Sequence, residues 1–238
     1  MKYKISEKYD DEIIKEKIMG PNPIKLQEEL LKGCLLPRGA TVMDLGSGQG
    51  VTSLVLVKEY GFKVFAADLW SNPTDNKRFF DSMGLTSEQI IPLRADATSL
   101  PFAEEFFDGV ICTDSYNFFG RDRNYLDSHL LPFVKRGGYV YLVIPGMKKD
   151  LHDNLPKELL LSWTPEQMDY IHDIPYWENI ISGSKEAELI EIRETEGNEE
   201  LWNDWIKCDN EYAVNDRKTI NAGGAKYLDF IEIIMKRK

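Results

Sequence analysis

The chain predicts an α/β fold whose mostly parallel sheet is covered by helices on both faces. Three observations carry that expectation. Short apolar runs alternate with segments of helical spacing from residue 40 to residue 144. Those runs are continuously apolar, as in strands buried on both faces. The first of them, residues 40–45, runs straight into a glycine-rich turn and then a helix.

Ahead of that core, helical spacing over 11–18 (Ile13, Ile14, Ile18) and 24–33 (Leu26, Leu30, Leu31) predicts two helices. The MGPNP segment at 19–23 separates them, and Gly33 and the PRG segment at 37–39 end the second. A helix over 49–60, a strand over 63–68 and a helix over 74–84 follow the first strand. The strand over 90–96 contains Pro92, which assigns it to an edge. A strand over 107–113, a helix over 124–135 and a strand over 138–144 complete the alternation. After Pro145 the pattern loosens. Short helices are expected over 165–171 and 176–182, an alternating strand over 187–193, a tryptophan-bearing helix over 199–206, and a last strand over 227–235.

Composition limits the function classes. Of the 238 residues, 42% are hydrophobic and 11% aromatic, which excludes disorder as the native state. The 29 basic against 40 acidic residues leave a net charge of −11, which opposes binding to nucleic-acid phosphates or an anionic membrane. Cys34, Cys112 and Cys208 have neither zinc-site nor CxxC spacing, so no metal and no disulfide scaffold is expected. The first ten residues have no apolar leader core, and the longest apolar-rich run, 138–147, is far below the ~18 residues of a spanning helix. The expectation is a soluble, cytoplasmic protein with no nucleic-acid partner and no membrane insertion. The sequence is silent on oligomeric state, so a homodimer stays open.

The strongest chemical signal is VMDLGSGQG at 42–50, a strand, a glycine turn and a helix start. Gly46, Gly48 and Gly50 let a ligand approach the backbone with no Cβ in the way. A dinucleotide fingerprint would need its third glycine at position 51, where Val51 stands. Asp68 ends the next strand 22 residues after Gly46, near the ~20-residue interval at which an acid reaches ribose hydroxyls. Asp96 ends the third strand, placed to accept from an adenine amino group, and Asp114 follows the fourth. All lie on the carboxyl edge of the sheet, where open α/β sheets bind ligands.

With these segments in order, together with ADLW at 67–70, ADA at 95–97, LPF at 100–102, FDGVI at 107–111 and VKRGGY at 134–139, residues 20–146 resemble the class I S-adenosylmethionine-dependent methyltransferases. The likeness is to the small-molecule branch grouped with ubiquinone/menaquinone-type and cyclopropane-fatty-acid-synthase-like enzymes. The resemblance implies a Rossmann-like seven-stranded sheet whose last strand inserts antiparallel beside the fifth, and S-adenosyl-L-methionine as cofactor. It implies that Gly46, Ser47 and Gly48 contact its methionine part, Asp68 the ribose, Leu69, Asp96 and Ala97 the adenine, and Asp114 the approach to the sulfonium. Asp44 and Gly50 belong to the same binding motif. One domain, 1–238, is then expected: a helical leader (1–36), a cofactor-binding core (37–146), lid and substrate elements with one strand (147–223), and the last strand (224–238). The absence of proline over 114–117 argues against exocyclic-amine methylation of DNA, and no cysteine stands where a C5-cytosine enzyme needs its nucleophile.

Catalytic candidates are fewer. Tyr116 lies beside the expected sulfonium site, and His152 and His172 fall in the expected lid, where an imidazole suits proton removal. His129, among Leu126, Leu130 and Leu131, reads as structural. Trp163, Tyr170, Tyr176, Trp177, Trp202, Trp205 and Tyr212 are core by default, or, interleaved with Asp169, Asp173, Glu178 and Asp204, a pocket for a cationic amine. The expected function is in-line methyl transfer to a small-molecule acceptor, with segments 146–185 and 195–223 closing over it. The alternatives are a protein that binds S-adenosylmethionine or S-adenosylhomocysteine without catalysis, a cyclopropane-synthase-like lipid enzyme, and an NAD-dependent dehydrogenase, which Val51 disfavours.

Overall fold

In a computed structural model that describes residues 3–9 and 12–238, the expected strands lie side by side in one seven-stranded sheet. They are β1 (Thr41–Leu45), β2 (Lys63–Asp68), β3 (Ile90–Arg94), β4 (Phe107–Thr113), β5 (Val134–Met147), β6 (Ala187–Glu194) and β7 (Leu228–Arg237). The order is β3-β2-β1-β4-β5-β7-β6. The pairs among β1 to β5 are parallel, and β7 runs antiparallel between β5 and β6, as the resemblance implies. Chain order reverses between β1 and β4, so the crevice at such a switch point opens above Leu45 and Thr113. Pro92 does lie on the edge strand, opposite Ala66.

Helices start where the sequence can cap them. α1 (Glu12–Lys15) is shorter than the expected stretch, whose residue 11 lies outside the described residues. α2 (Pro23–Leu30) opens with the Asn22 side chain accepting from the Lys25 amide at 3.1 Å, and proline occupies the first helical position. α4 (Pro73–Ser82) repeats the device with Asn72, and α5 (Pro165–Met168) has a capping box of Thr164 and Gln167. Such caps contribute roughly 1 kcal/mol each. α3 (Val51–Val55) continues as a π-helical turn, Leu56–Tyr60. α6 (Ile174–Ile181) and α7 (Asn198–Trp205) fall close to the expected segments.

Two elements differ from expectation. The helix expected over 124–135 is one π-helical turn, Leu126–Leu130, and a 3-10 turn, Leu131–Phe133, after which β5 begins. Pro132 lacks the amide that would continue the helix. α8 (Glu211–Asn221), capped by Asn210, lies inside what the sequence left as irregular lid. The strands bury both faces. Val42, Val64 and Val143 face the core under α2 and α3, while Met43, Ala67 and Cys112 face the core built on Trp177, Tyr125 and Leu130.

Candidate functional site

The turn after β1 is held by hydrogen bonds to its own fold. Gly46 and Ser47 donate their amides to the Ala67 carbonyl at 2.8 and 3.2 Å, and Gly50 donates to Ser47 at 2.9 Å. Gly46, Gly48 and Gly50 have φ of 77°, 51° and 88°, the left-handed region. A Cβ on Gly46 would overlap the Ser115 hydroxyl, and one on Gly50 would come 2.6 Å from the Phe80 ring. Beneath the turn, Asp44 is fully buried and accepts from Thr52 Oγ1 at 2.7 Å and Ser53 Oγ at 2.5 Å, tying α3 to the end of β1. Burial pushes its carboxyl up to about 6 against those two hydroxyls.

Asp68 is the strut between two turns. Its Oδ2 accepts from the Gly48 amide at 3.0 Å, and its Oδ1 from the Trp70 and Ser71 amides at 2.9 and 2.7 Å. Asp96 accepts at Oδ1 from the Thr98 amide and hydroxyl, and these bonds hold its carboxyl below the usual range. Between them opens a cavity of about 200 Å³, with Asp68 and Leu69 on one side, Asp96 and Ala97 on the other, and Gly46, Ser115 and Phe118 at its base. Ser47 and Gly48 continue the Gly46 turn, while Asp44 and Gly50 sit behind it. Trp70, Ser115, Phe118 and Phe119 also line this cavity, although the sequence had not singled them out as site residues.

Asp114, directly after β4, has φ 59°, a strained value for a residue with a Cβ. Its amide donates to the Val143 carbonyl at 2.8 Å, while its carboxylate has no hydrogen-bond partner among the described residues. Burial, reinforced by the nearby Asp216, pushes that carboxyl up to about 7. The leader crosses above it. A Cβ on Gly20 would collide with Asp114 Oδ2, and one on Gly48 would lie 3.6 Å from Met19 Sδ. Lys25 and Asn22 anchor that crossing to Asp204 on α7, at 2.7 and 3.1 Å.

A second cavity, of about 270 Å³, adjoins the first at Phe118. Asn117, Pro145 and Gly146 form its floor, Trp163, Met168, Tyr170 and Ile171 one wall, and Trp202 and Leu228 another. Segments 146–185 and 195–223 thus both reach it. The expected pairing of aromatics with acids is not assembled here. Asp169 pairs with Arg121, Asp173 caps α6, and Asp204 pairs with Lys25. Trp177 and Trp205 are core, Tyr176 stacks on His172, and Tyr212 is exposed.

The three catalytic candidates fall elsewhere. Tyr116 is fully buried against Phe119, Tyr125 and Trp177, with ring centroids 5.5, 5.8 and 5.9 Å away, and it lines neither cavity. Burial raises its phenol far above the ordinary value, so it stays protonated near neutral pH. The apolar face of the turn after β4 takes this ring inward, which proximity in sequence alone did not reveal. His152 and His172 also line neither cavity, and lie behind the Met168–Ile171 wall. Among the described residues, no group of three or more His, Cys, Asp or Glu side chains could hold a metal ion, and no helix is long and apolar enough to cross a membrane.

Residues 43–142 match the methyltransferase domain family. No curated protein sequence matches the chain. Among solved structures, the geranyl diphosphate C-methyltransferase from Streptomyces coelicolor A3(2), in complex with magnesium, geranyl diphosphate and S-adenosyl-L-homocysteine, is similar at a TM-score of 0.68 and 15% identity, over 89% of this chain and 78% of that one. YjhP from E. coli is similar at a TM-score of 0.65 and 16% identity, over 100% of this chain and 99% of that one. The 4+2 cyclase SpnF is similar at a TM-score of 0.66 and 14% identity, over 89% and 79%. At these identities the likeness is one of fold. One of the three is named for a different reaction, so the chemistry must be argued from the site.

Proposed function

We propose that this chain, a Rossmann-like class I methyltransferase fold with its methyltransferase domain at residues 43–142, transfers a methyl group from S-adenosylmethionine to an apolar, uncharged small molecule. The observation that carries this reading is the meeting of two unlike cavities at Phe118, one edged by carboxylates and one walled by aromatic rings. When bound, S-adenosylmethionine supplies a methyl carbon made electrophilic by its sulfonium.

The residues of the first cavity fit that cofactor. Gly46 leaves no room for a side chain between backbone and Ser115, and the buried Ser47 hydroxyl has no partner among the described residues. Asp68 spends three of its roughly four lone-pair positions on backbone amides and keeps capacity for a ribose hydroxyl. Leu69, Asp96 and Ala97 hold the adenine. The unpartnered Asp114 carboxylate offers negative charge to the cationic methionine end. The whole of 1–238 works as one unit, since strands from residue 41 to residue 237 share the sheet.

Around the second cavity, Phe118, Trp163, Tyr170 and Trp202 exclude water and align an apolar acceptor, roughly 3–3.5 Å behind the methyl carbon. Among the described residues, no carboxylate, imidazole, ammonium or guanidinium lines it, so an anionic acceptor finds no counter-charge there. The same lack favours an acceptor atom already nucleophilic without a base. It also sustains a second reading, in which the cofactor is held and no methyl moves.

Calorimetry with S-adenosylhomocysteine and with NAD is the first test, with binding expected for the former alone. S-adenosylhomocysteine release is then followed against pooled metabolites sorted by charge. Release with the neutral apolar pool supports the proposal. Binding without release in any pool supports the second reading, and no binding ends both.

A further inference from the structure

We infer that His152 is a positioning residue of the second cavity: as an imidazolium it ties the 165–171 segment to the chain after β5 and so holds one wall in place. Its Nδ1 lies 2.6 Å from Asp150 Oδ1, and its Nε2 lies 3.0 Å from the Met168 carbonyl oxygen. Both partners carry lone pairs and no proton. A neutral imidazole has one N–H and can donate to only one of them, leaving lone pair against lone pair at the other. Only the doubly protonated ring donates to both. Met168 lines the cavity, so the second bond reaches its wall directly.

The surroundings decide where the charge sits. From its own segment His152 meets Asp150, whose amide donates to Asp173 Oδ2 at 3.0 Å. From α5 and the residues after it come Met168 and Asp169, and the Asp169 carboxylate is paired with Arg121 at 2.8 Å. Arg121 also lies 4.2 Å over the Tyr170 ring. His172 is 4.9 Å from His152 and stacks at 3.5 Å on Tyr176 of α6. Three carboxylates against one guanidinium favour one cation on the histidine pair, and rings this close disfavour two. His172 is the neutral member, because it is half-buried and its Nε2 has no partner among the described residues.

Titration directions agree with this geometry. Burial alone would lower His152, but its bonds to Asp150 and Met168 hold it above the ordinary imidazole value. Burial and then the His152 charge push His172 below that value. The bond to the wall is therefore present at low pH and lost as pH rises through the raised His152 value. That this wall belongs to an acceptor site rests on the function proposed above; the bond itself does not.

The test needs neither cofactor nor acceptor. With three histidines in the chain, side-chain proton–nitrogen spectra of the full-length protein resolve each titration. His152 should be doubly protonated at pH 7 while His172 is neutral, and Asp150→Asn should lower the His152 midpoint. Deuterium exchange of residues 165–171, relative to β5, should rise at least fivefold as pH passes that midpoint. His152→Gln, whose amide nitrogen can replace Nε2, should stay protected at every pH, and His152→Asn, which can replace only Nδ1, should stay open. A neutral His152 at pH 7, or an exchange step that survives in both variants, overturns the inference. Failure of S-adenosylhomocysteine to bind would remove the proposed function and leave these outcomes untouched.

Discussion

The two cavities are built in opposite ways. The first takes its walls from consecutive strand ends, Leu45–Gly46, Ala67–Trp70, Ala95–Ala97, and Ser115 with Phe118 and Phe119, and backbone hydrogen bonds lock them. The second gathers residues 117, 118, 145, 146, 163, 167, 168, 170, 171, 202 and 228, from both halves of the chain. A site that must fit one invariant ligand can be made from short, rigid turns. On the proposed reading, a site that must fit one acceptor among many is made from side chains that can change without disturbing the sheet. Substitutions in the first should therefore act on cofactor affinity and stability together, and those in the second on the acceptor alone.

The largest expected effect is at Gly46. Gly46→Ala adds a Cβ at φ 77° against the Ser115 hydroxyl, so the turn must shift. Unfolding free energy should fall by about 2–4 kcal/mol and S-adenosylhomocysteine affinity by at least ~100-fold. Thermal melts with parallel calorimetry read both. An intact affinity would separate the turn from the first cavity and end the contrast.

Asp114→Asn comes next, and its sign depends on pH. The folded-state carboxyl is raised to about 7, by burial and then Asp216, above the ordinary 3.8. The wild type therefore keeps its full stability below pH ~3.8 and loses part of it as pH rises through about 7. Without ligand, the asparagine variant should nearly match wild type at pH 4 and exceed it at pH 8 by about 4 kcal/mol. Its affinity for S-adenosylmethionine should nevertheless fall, because the charge that destabilises the empty protein is the one proposed to meet the cation. A variant less stable than wild type at pH 8 would show that Asp114 is structural.

This contrast also explains what could be read from the sequence. The first cavity was legible because a strand of known direction followed by glycines, or by an acid at its end, fixes where a residue sits whatever lies elsewhere in the chain. That is how the sequence places Asp68 and Asp96 at strand ends, where both edge the cavity. Phe118, Trp163 and Trp202 carry no such local mark, since an aromatic at a cavity wall and one in a core look alike until distant segments meet. The direction of Tyr116 is hidden for the same reason: one residue after Ser115, it turns into the Trp177 core and does not line the first cavity. Helix α8 was missed because its buried face, Ala213, Asp216, Thr219 and Ile220, keeps helical spacing but is half polar and so leaves no apolar stripe, although Asn210 is a cap in plain view.

The two smallest effects sharpen the boundary at Phe118. Asp68→Ala removes an acceptor of three backbone amides, so cofactor affinity should drop by on the order of 1.5–3 kcal/mol with the acceptor KM unchanged. Phe118→Ala should do the reverse. The ring is half exposed, touches Trp70 at 6.2 Å on the first side and Tyr170 at 5.4 Å on the second, and lies in no core. Its loss should cost under ~1 kcal/mol of stability and change S-adenosylhomocysteine affinity by less than about threefold. Turnover on whichever neutral acceptor the pooled assay identifies should still fall at least tenfold, mostly in KM, because the acceptor loses the wall that aligns it. Equal losses of cofactor affinity and acceptor turnover would mean that the two cavities are one site, built and recognised as a unit.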